Sequence, residues 1–301
     1  MPTKPYELRR LCKVGDIEYL LDDDDGTAWL CKGIYGGTDI CTLPEEVVVG
    51  GRTYRINNAE GEFSVPNGTL VQELVIPDSY EYIGNIGFSE SYIETIHIGR
   101  GLQWLNIWCF HRLSPDVAIT IDPVNPHIKM SDDGNCVLTK DGRRLISVGR
   151  EVPELTVPDG VEEICQTAIS CRDIQSLRLP SSLKVIGSEG ICQCHGLHSI
   201  VIPEGVEIIK TQGLSDNPNL KEIDLPSTLR QLDRETFVED NCLERIIVRA
   251  AIPPAFKGGM DLDLPRINTC HLVVPRQSLP AYRNHENWGW FRHIDILDGD
   301  E

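Results

Sequence analysis

Apolar and polar residues alternate in a short segment that recurs every 22 or 23 residues through the middle of the chain. In every copy, the residues one and three positions before a marker residue are apolar. The markers are Pro77, Gly99, Pro158, Pro180, Pro203 and Pro226. A two-residue period is typical of a β-strand with one buried face, and proline cannot donate to a strand ladder. The pattern therefore predicts short strands that end close to their markers.

Apolar residues also follow each marker, at the third, sixth and eleventh positions; in the fourth copy they are Leu183, Ile186 and Ile191. This wider spacing predicts an irregular or short helical return arm. Tight bends in these arms are assigned to Gly187, Gly190 and Gly213. One strand and one return make a coil that cannot cover its own apolar face, so the coils must stack. The periodicity thus predicts a solenoid.

One further register of the repeat carries small side chains that can form hydrogen bonds. These residues lie three positions before the first apolar residue of the next copy, and they are Cys171, Cys194, Asn217 and Asp240. Side chains of this kind can bond backbone groups that a turn would otherwise leave unpaired. We therefore expect a ladder of side chains along one corner of the stack.

Two segments carry a resemblance to a known family: residues 155–164, with the sequence LTVPDGVEEI, and residues 220–226, with the sequence LKEIDLP. They resemble the BspA-like, bacterial surface-antigen class of leucine-rich repeats. Residues 43–54 and 252–290, at the flanks of the array, resemble the same class. Gly99 departs from the pattern, because it stands where the other copies have proline. The resemblance implies a β-rich leucine-rich-repeat solenoid of the right-handed β/α superhelix type, capped at both ends. It predicts one continuous domain, with an N-terminal β cap at 1–42, the array at 43–249, and a C-terminal repeat and cap at 250–301.

The repeat is interrupted between residues 119 and 148, where the distance from Gly99 to Pro158 is far longer than one coil. Residues 128–130, 136–139 and 145–148 have the composition of strands, and the sequences DDGN and KDGR between them favour tight turns. We predict a small β-meander inserted into one coil. Because a repeat array has few other irregularities, this insertion is a candidate for partner contact.

Composition narrows the range of partners. The formal net charge is −18, which argues against nucleic acid and against anionic membrane surfaces. No run of 18 apolar residues is present, so membrane insertion is not expected. The eleven cysteines are an odd number, which favours a reducing compartment, and the segment after Met1 lacks the apolar core of a signal peptide. A cytoplasmic location is expected, and export or surface display is the alternative if a leader precedes the sequence.

Two groups of residues in the sequence are candidates for metal binding. Cys165, Cys171, Cys192, Cys194 and His195 bring soft ligands into adjacent coils, but Cys192-x-Cys194 lacks the usual zinc-knuckle spacing, so buried structural thiols are favoured over a metal site. The acidic run at 22–25 fails as a calcium loop, because the first and twelfth ligand positions fall on Leu21 and Lys32. A hairpin turn between residues 17–21 and 27–30 is predicted there instead. No metal and no cofactor are expected.

Catalytic signatures are absent from the sequence: there is no nucleophile elbow, phosphate loop, His-Glu-x-x-His or dinucleotide fingerprint. The eight histidines are interpreted as isolated groups that share no period. The sequence therefore predicts no enzyme, and a hydrolase with an unrecognised site is kept as a remote alternative.

Near the C-terminus, Trp288, Trp290 and Phe291 are predicted to cover the last coil.

Recognition of a protein or peptide is the function that remains, with a self-associating structural module or homo-oligomer as the alternative. Residues two and four positions before each marker should point away from the core, and together they form the strand face. The strand face comprises Glu73, Val75, Thr95, His97, Glu154, Thr156, Ser176, Arg178, Ser199, Val201, Glu222, Asp224, Arg245 and Ile247. The candidate binding residues within it are His97, Thr156, Arg178, Ser199, Val201, Glu222, Asp224 and Arg245, with the two arginines as anchors.

Overall fold

The computed structural model of the protein describes residues 9–34, 39–64, 71–86, 93–105, 117–149, 152–170, 174–258 and 264–297. The chain forms two compact units. The first comprises residues 1–141 and 146–151, and the second comprises residues 142–145 and 152–301. Most of the strands in both units are short, with two to six residues.

The first unit begins with a three-stranded antiparallel segment and continues in parallel strands. Its strands are β1 (Arg10–Val14), β2 (Ile17–Asp22), β3 (Thr27–Ile34), β4 (Ile40–Thr42), β5 (Glu46–Val49), β6 (Arg52–Ser64), β7 (Glu73–Ile76), β8 (Tyr82–Ile86), β9 (Thr95–Ile98), β10 (Trp104–Leu105), β11 (Ala118–Ile121), β12 (Ile128–Met130) and β13 (Cys136–Thr139). One sheet has the order β1-β2-β3-β6-β8-β10, with β5 on β6, and another has the order β11-β9-β7-β4.

The predicted hairpin turn is confirmed between β2 and β3. The Asp22 carboxylate accepts the backbone N–H of Asp24 at 3.0 Å, and Gly26 adopts a left-handed φ of 69°. Arg10 donates two bonds of 3.0 Å to the Asp23 carboxylate, and these bonds, with one from the Tyr54 hydroxyl, hold the pKa of Asp23 below its usual range. The acidic run is thus bonded to its own turn and to an arginine.

Alternation along the strands places one face of each in the core. β7 pairs with β9 in parallel, so that Leu74 lies beside Ile96 and Ile76 beside Ile98. These four side chains are at most 3% exposed. The two strands end one residue before Pro77 and Gly99, close to their markers as predicted.

The inserted meander has the predicted strands. β12 and β13 match residues 128–130 and 136–139 and pair in antiparallel fashion, and β14 (Arg144–Val148) begins one residue before the predicted start. Gly134 and Gly142 in the two turns adopt φ of 72° and 77°, which glycine tolerates without strain. The turn chemistry read from the sequence is confirmed.

The second unit continues the strand series through the repeat array to the C-terminal segment. Its elements are β15 (Glu154–Thr156), β16 (Glu163–Ile164), β17 (Ile169–Ser170), β18 (Ser176–Arg178), β19 (Val185–Ile186), β20 (Ile191–Cys192), β21 (Ser199–Val201), β22 (Ile208–Ile209), β23 (Glu222–Leu225), β24 (Gln231–Asp233), β25 (Arg245–Val248), β26 (Ala255–Lys257), α1 (Leu264–Thr269), β27 (His271–Val274), α2 (Leu279–Arg283) and β28 (His293–Ile296).

The first strands of successive return arms pair with one another, in a sheet that also contains the meander strands β12 and β13. Leu145, Ile164, Ile186, Ile209 and Leu232 follow one another in strands β14, β16, β19, β22 and β24, each paired in parallel with the next. All five side chains are fully buried. The arms were expected to be irregular or short helical; in the described part of the second unit, the return arms after Pro158 consist of two-residue and three-residue strands joined by turns.

Single residues with left-handed backbone conformation, rather than helices, turn the chain in these arms. Thr167, Glu189, Gln212 and Glu235 recur at the repeat spacing with φ between 51° and 58°, in the left-handed region. The backbone N–H of Glu189 bonds Thr211 O at 3.0 Å in the next coil, and that of Gln212 bonds Arg234 O at 3.1 Å. A left-handed residue reverses the chain direction in one step, so the arm can turn without a helix.

The glycines of the return arm serve a purpose other than the one expected. Gly187, Gly190 and Gly213 are not among the residues with positive φ. A Cβ atom on Gly187 would lie 2.6 Å from Ile164 O in the preceding coil, and one on Gly213 would lie 2.5 Å from the Ile209 side chain. These glycines therefore allow close approach of neighbouring chain segments rather than an unusual φ.

The predicted corner ladder is confirmed for its described members. The Asn217 side-chain oxygen accepts the backbone N–H of Cys194 at 3.1 Å, and the Asp240 carboxylate accepts the backbone N–H of Asn217 at 2.8 Å. The Asn217 amide also donates to the carbonyl oxygens of Ile191 and Leu214, at 3.2 and 2.9 Å. Cys171 lies outside the described residues. Asn217 and Asp240 thus each satisfy a buried backbone donor of the coil before them, whereas the Cys194 thiol bonds Cys192 O within its own coil.

The aromatic residues near the C-terminus pack against the end of the array. Trp288 is fully buried and its indole N–H donates to Pro254 O at 2.8 Å, while the Tyr282 hydroxyl donates to Ala250 O at 2.8 Å. Phe291 is also buried, but Trp290 is 57% exposed and does not take the covering role predicted for it. Within the described ranges, no helix combines the length and the apolar character needed to cross a bilayer.

Candidate functional site

The strand face of the second unit carries seven of the eight candidate binding residues. Thr156, Arg178, Ser199, Val201 and Arg245 are exposed, whereas Glu222 and Asp224 are half-buried. They alternate with core residues such as Leu155, Ile200 and Ile223, which are at most 2% exposed. His97, the eighth, is half-buried on β9 of the first unit.

One residue of the predicted strand face is buried. Ile247 is 6% exposed, although its register points it outward. It pairs with Asp224 on one side and with Val273, itself 3% exposed, on the other. Arg245 and Arg249 flank it on the same face, and both reach toward β23. Long arginine stems cover apolar surface while their charged ends stay in water, which explains the burial.

The strand face is not one continuous sheet. β15 pairs with β18, and β21 begins a separate five-stranded sheet in the order β21-β23-β25-β27-β28. At the boundary, Leu177 on β18 is only half-buried, while Ile200 on β21 is 2% exposed. The coils remain stacked there, because the return strands β19 and β22 pair directly.

Charges on the five-stranded part of the face compensate one another between coils. Arg245 lies 3.4 Å from the Glu222 carboxylate, and Arg249 donates two bonds of 2.8 Å to Asp224. Ion pairs of this kind on a protein surface contribute about 0–1 kcal/mol each to folding stability. Their main effect is to place opposite charges next to each other along the face. Arg178 makes no ion pair or side-chain hydrogen bond with the residues that the structure describes. Arg178 is thus an exposed arginine without a side-chain partner among these residues.

His97 lies between Glu73 and Thr120 in the first unit. Its Nε2 is 3.5 Å from the Glu73 carboxylate and its Nδ1 is 2.7 Å from Thr120 Oγ1. The Thr120 hydroxyl also lies 3.3 Å from Ile96 O, to which it donates. These contacts connect His97 to the strands on either side of β9, since Glu73 lies on β7 and Thr120 on β11.

Sequence reasoning missed the C-terminal continuation of the strand face. His271 on β27 and His293 on β28 are direct neighbours in the ladder, and their rings stack with centroids 4.8 Å apart. The expectation that the histidines share no period is wrong for this pair, which is 22 residues apart. That spacing, together with the alternation in His271–Val274 and His293–Ile296, was the signal that could have extended the face.

An open depression lies at this end of the face, with a volume of about 470 Å³. It is lined by Glu244, Arg245, His271, Val273, Asp295 and Ile296. The His271 Nδ1 and the Asp295 carboxylate are 2.6 Å apart. The depression thus combines side chains of both charge signs with apolar ones.

The soft-ligand cluster has the character of buried thiols. Burial raises the pKa of Cys165 to about 11 and that of Cys192 to about 12, so both side chains are protonated thiols at neutral pH. The Cys194 thiol donates to Cys192 O at 3.4 Å. In the part of the chain that the structure describes, no three His, Cys, Asp or Glu residues are placed to hold a metal, and Cys171 lies outside that part.

Comparison with protein-family models gives a match to the BspA type leucine rich repeat region, in six copies over residues 63–129 and 149–252. The matched residues make up more than half of the chain. A search of curated proteins gave no match. The family match covers the marker residues of the repeat and leaves the meander and both ends largely outside.

Comparison with solved structures matches bacterial proteins, two of which are described as leucine-rich. The pneumococcal vaccine antigen PcpA is 14% identical, with 97% of this chain and 99% of that chain covered and a TM-score of 0.43. A leucine-rich repeat protein from Bacteroides ovatus is 17% identical, with 95% and 76% covered and a TM-score of 0.39. A leucine-rich cell surface protein from Faecalibacterium prausnitzii is 16% identical, with 86% and 97% covered and a TM-score of 0.35.

Proposed function

Since this chain belongs to the BspA-type leucine-rich repeat family, whose repeats build protein-interaction or structural modules, we propose that it is a noncatalytic module that binds a protein or peptide. The binding surface is the strand face of the second unit, with Arg178 as its main anchor. The inserted meander is a second contact region in this proposal.

The observation that supports the proposal is that an arginine without a charge partner and an exposed apolar residue occupy the same register in consecutive coils. Arg178 has no side-chain partner among the described residues, and Val201, at the same register in the next coil, is 65% exposed. Arginine is enriched among the residues that dominate binding energy, and apolar side chains beside it exclude water from the contact. Neither residue has a structural task on the face, so both can serve a ligand.

We expect Arg178→Ala to leave folding unchanged and to weaken binding of ligands about tenfold, the effect of losing roughly 1.4 kcal/mol at an anchor residue. The probes are peptides selected from a random display library on the immobilised wild-type protein. Their dissociation constants are measured by fluorescence anisotropy against the wild type, Arg178→Ala and Val201→Asp. Thermal unfolding followed by circular dichroism checks the fold of each variant.

Arg230→Ala is the matched control, because Arg230 is exposed in the same unit but lies after a marker rather than on the strand face. It should bind the selected peptides like the wild type. Peptides that keep full affinity for the double variant Arg178→Ala/Val201→Asp would show that ligands use a different surface.

Self-association is the second candidate, and an exposed edge favours it. β1 ends its sheet, and Leu11 and Val14 on it are 62% and 40% exposed. Apolar edge strands promote pairing with another chain. We expect that, if the protein assembles in this way, Leu11→Lys will convert the oligomer to a monomer in multi-angle light scattering. A wild-type protein that is monomeric at all concentrations excludes this function.

Other expectations about partners remain predictions. They are the absence of nucleic-acid binding, of membrane insertion and of a cofactor, and a cytoplasmic location with export or surface display as the alternative. Nine cysteines among the described residues carry free thiols, and six of them are buried. Buried thiols behave as small apolar side chains, so they serve packing in either compartment.

A further inference from the structure

The last strand of the five-stranded sheet differs from the others in what covers it. β28 ends the sheet order and pairs only with β27 among the described strands. Its core-facing residues Ile294 and Ile296 are half-buried, whereas the equivalent pairs in β23, β25 and β27 are fully buried. A further strand would supply the apolar cover that each earlier strand receives from its successor.

The backbone direction shows which groups of β28 face the open side. In this ladder a core-facing residue donates its N–H to the following strand, as Ile202 does to Asp224 O at 2.9 Å. An outward-facing residue donates to the preceding strand, as Leu297 does to Val274 O at 2.9 Å. By the same alternation, the N–H and C=O groups of Ile294 and Ile296 point away from β27. They are positioned to pair with one more parallel strand.

The charges along the sheet indicate which side chain an added strand should place beside Asp295. Each carboxylate of β23 is matched by an arginine of the next coil: Glu222 by Arg245 at 3.4 Å and Asp224 by Arg249 at 2.8 Å. On β28, Asp295 is 53% exposed and contacts His271 of the preceding strand. The position opposite it on a following strand would complete the pattern with a basic residue.

We infer that the open edge of β28 binds an extended peptide as an additional parallel strand, with an apolar-basic-apolar sequence in register with Ile294, Asp295 and Ile296. The apolar residues cover the two isoleucines, and the basic residue pairs with Asp295. Backbone bonds to Ile294 and Ile296 supply affinity, and the alternation supplies specificity. The inference concerns the edge of the sheet rather than its face, and it stands even if ligand binding to the face fails.

The test uses a fluorescein-labelled peptide with the core Thr-Ile-Lys-Ile-Thr and fluorescence anisotropy with the full chain. We expect saturable binding that a scrambled core, Ile-Ile-Thr-Thr-Lys, does not reproduce. N-methylation of the lysine removes the N–H aimed at Ile294 O and should weaken binding about tenfold. N-methylation of the isoleucine after it, whose N–H points away from β28, should have about a twofold effect or less.

Two protein variants report on the same contacts. Ile296→Pro removes the N–H on the open side, which an edge strand tolerates, and should abolish binding. Asp295→Lys should reverse the preference, so that a core with glutamate in place of lysine binds better. Asp159→Lys makes the same change of charge at an exposed residue outside the sheet and should bind like the wild type. If Ile296→Pro does not fold, the Asp295→Lys result alone decides.

The inference is overturned if the lysine peptide and its scrambled form bind equally well. It is also overturned if Asp295→Lys does not prefer the glutamate peptide over the lysine peptide. Sedimentation analysis that shows a wild-type dimer dissociated by Ile296→Pro overturns it as well, because a second copy of the chain would then be the occupant. Arg178→Ala should bind the lysine peptide normally, and this result separates the edge from the strand face.

Discussion

Ile186→Asp is expected to abolish the cooperative unfolding transition of the second unit. Ile186 is fully buried between Ile164 and Ile209 in the return-arm sheet. An unpaired carboxylate there costs several kcal/mol, comparable with the roughly 5–15 kcal/mol that stabilises a whole domain. Because each coil is held only by its neighbours, a coil that cannot pack also uncouples the coils on either side.

Urea and thermal unfolding followed by circular dichroism measure this effect. Ile186→Val keeps the apolar contact and should cost about 0.5–1.5 kcal/mol. Lys184→Asp introduces the same carboxylate at an exposed site two residues away and should unfold almost like the wild type. An Ile186→Asp transition that coincides with that of Lys184→Asp would show that position 186 does not face the core.

Asn217→Leu is expected to be the second most destabilising change, at about 3–5 kcal/mol. The Asn217 side chain is fully buried, accepts from Cys194 N and donates to the oxygens of Ile191 and Leu214. Leucine has a similar size but leaves these buried backbone groups without that partner, at about 1–3 kcal/mol for each group left unsatisfied.

Chemical denaturation gives the change in unfolding free energy, and amide hydrogen exchange reports the Cys194 N–H directly. Asn219→Leu is the matched control, because Asn219 is exposed and makes a single bond of 2.7 Å to His195 O. That change should cost less than about 1 kcal/mol. Equal costs for the two variants would mean that the corner ladder contributes nothing to the stack.

Apolar periodicity was sufficient to predict the stack of coils and the face that each strand buries. Residues at fixed offsets from the prolines, such as Leu183, Ile186 and Ile191, are fully buried. The return arms were harder to predict, because two-residue strands such as β19 and left-handed corners at residues such as Glu189 leave no local sequence signal. They are imposed by hydrogen bonds to neighbouring coils, which a single-segment pattern does not contain.

The strand face was predictable only where the repeat is regular. Arg178 and Val201 are exposed as expected, but Ile247 is covered by arginines whose direction depends on carboxylates one coil away. His271 and His293 lie beyond the last proline marker, so the marker pattern ended before the face did. The division into a cap at 1–42, an array at 43–249 and a C-terminal part at 250–301 stays a prediction.

The corner ladder has a consequence for chain length. If residues 195–217 were deleted, the backbone N–H of Cys194 would take the place of the Asn217 N–H and meet the Asp240 carboxylate, which accepts Asn217 N now. The return strand β19 would then meet β24 in the register that β22 uses today. The number of coils is therefore not fixed by any one turn, and whole modules can be gained or lost without leaving a defect at the junction.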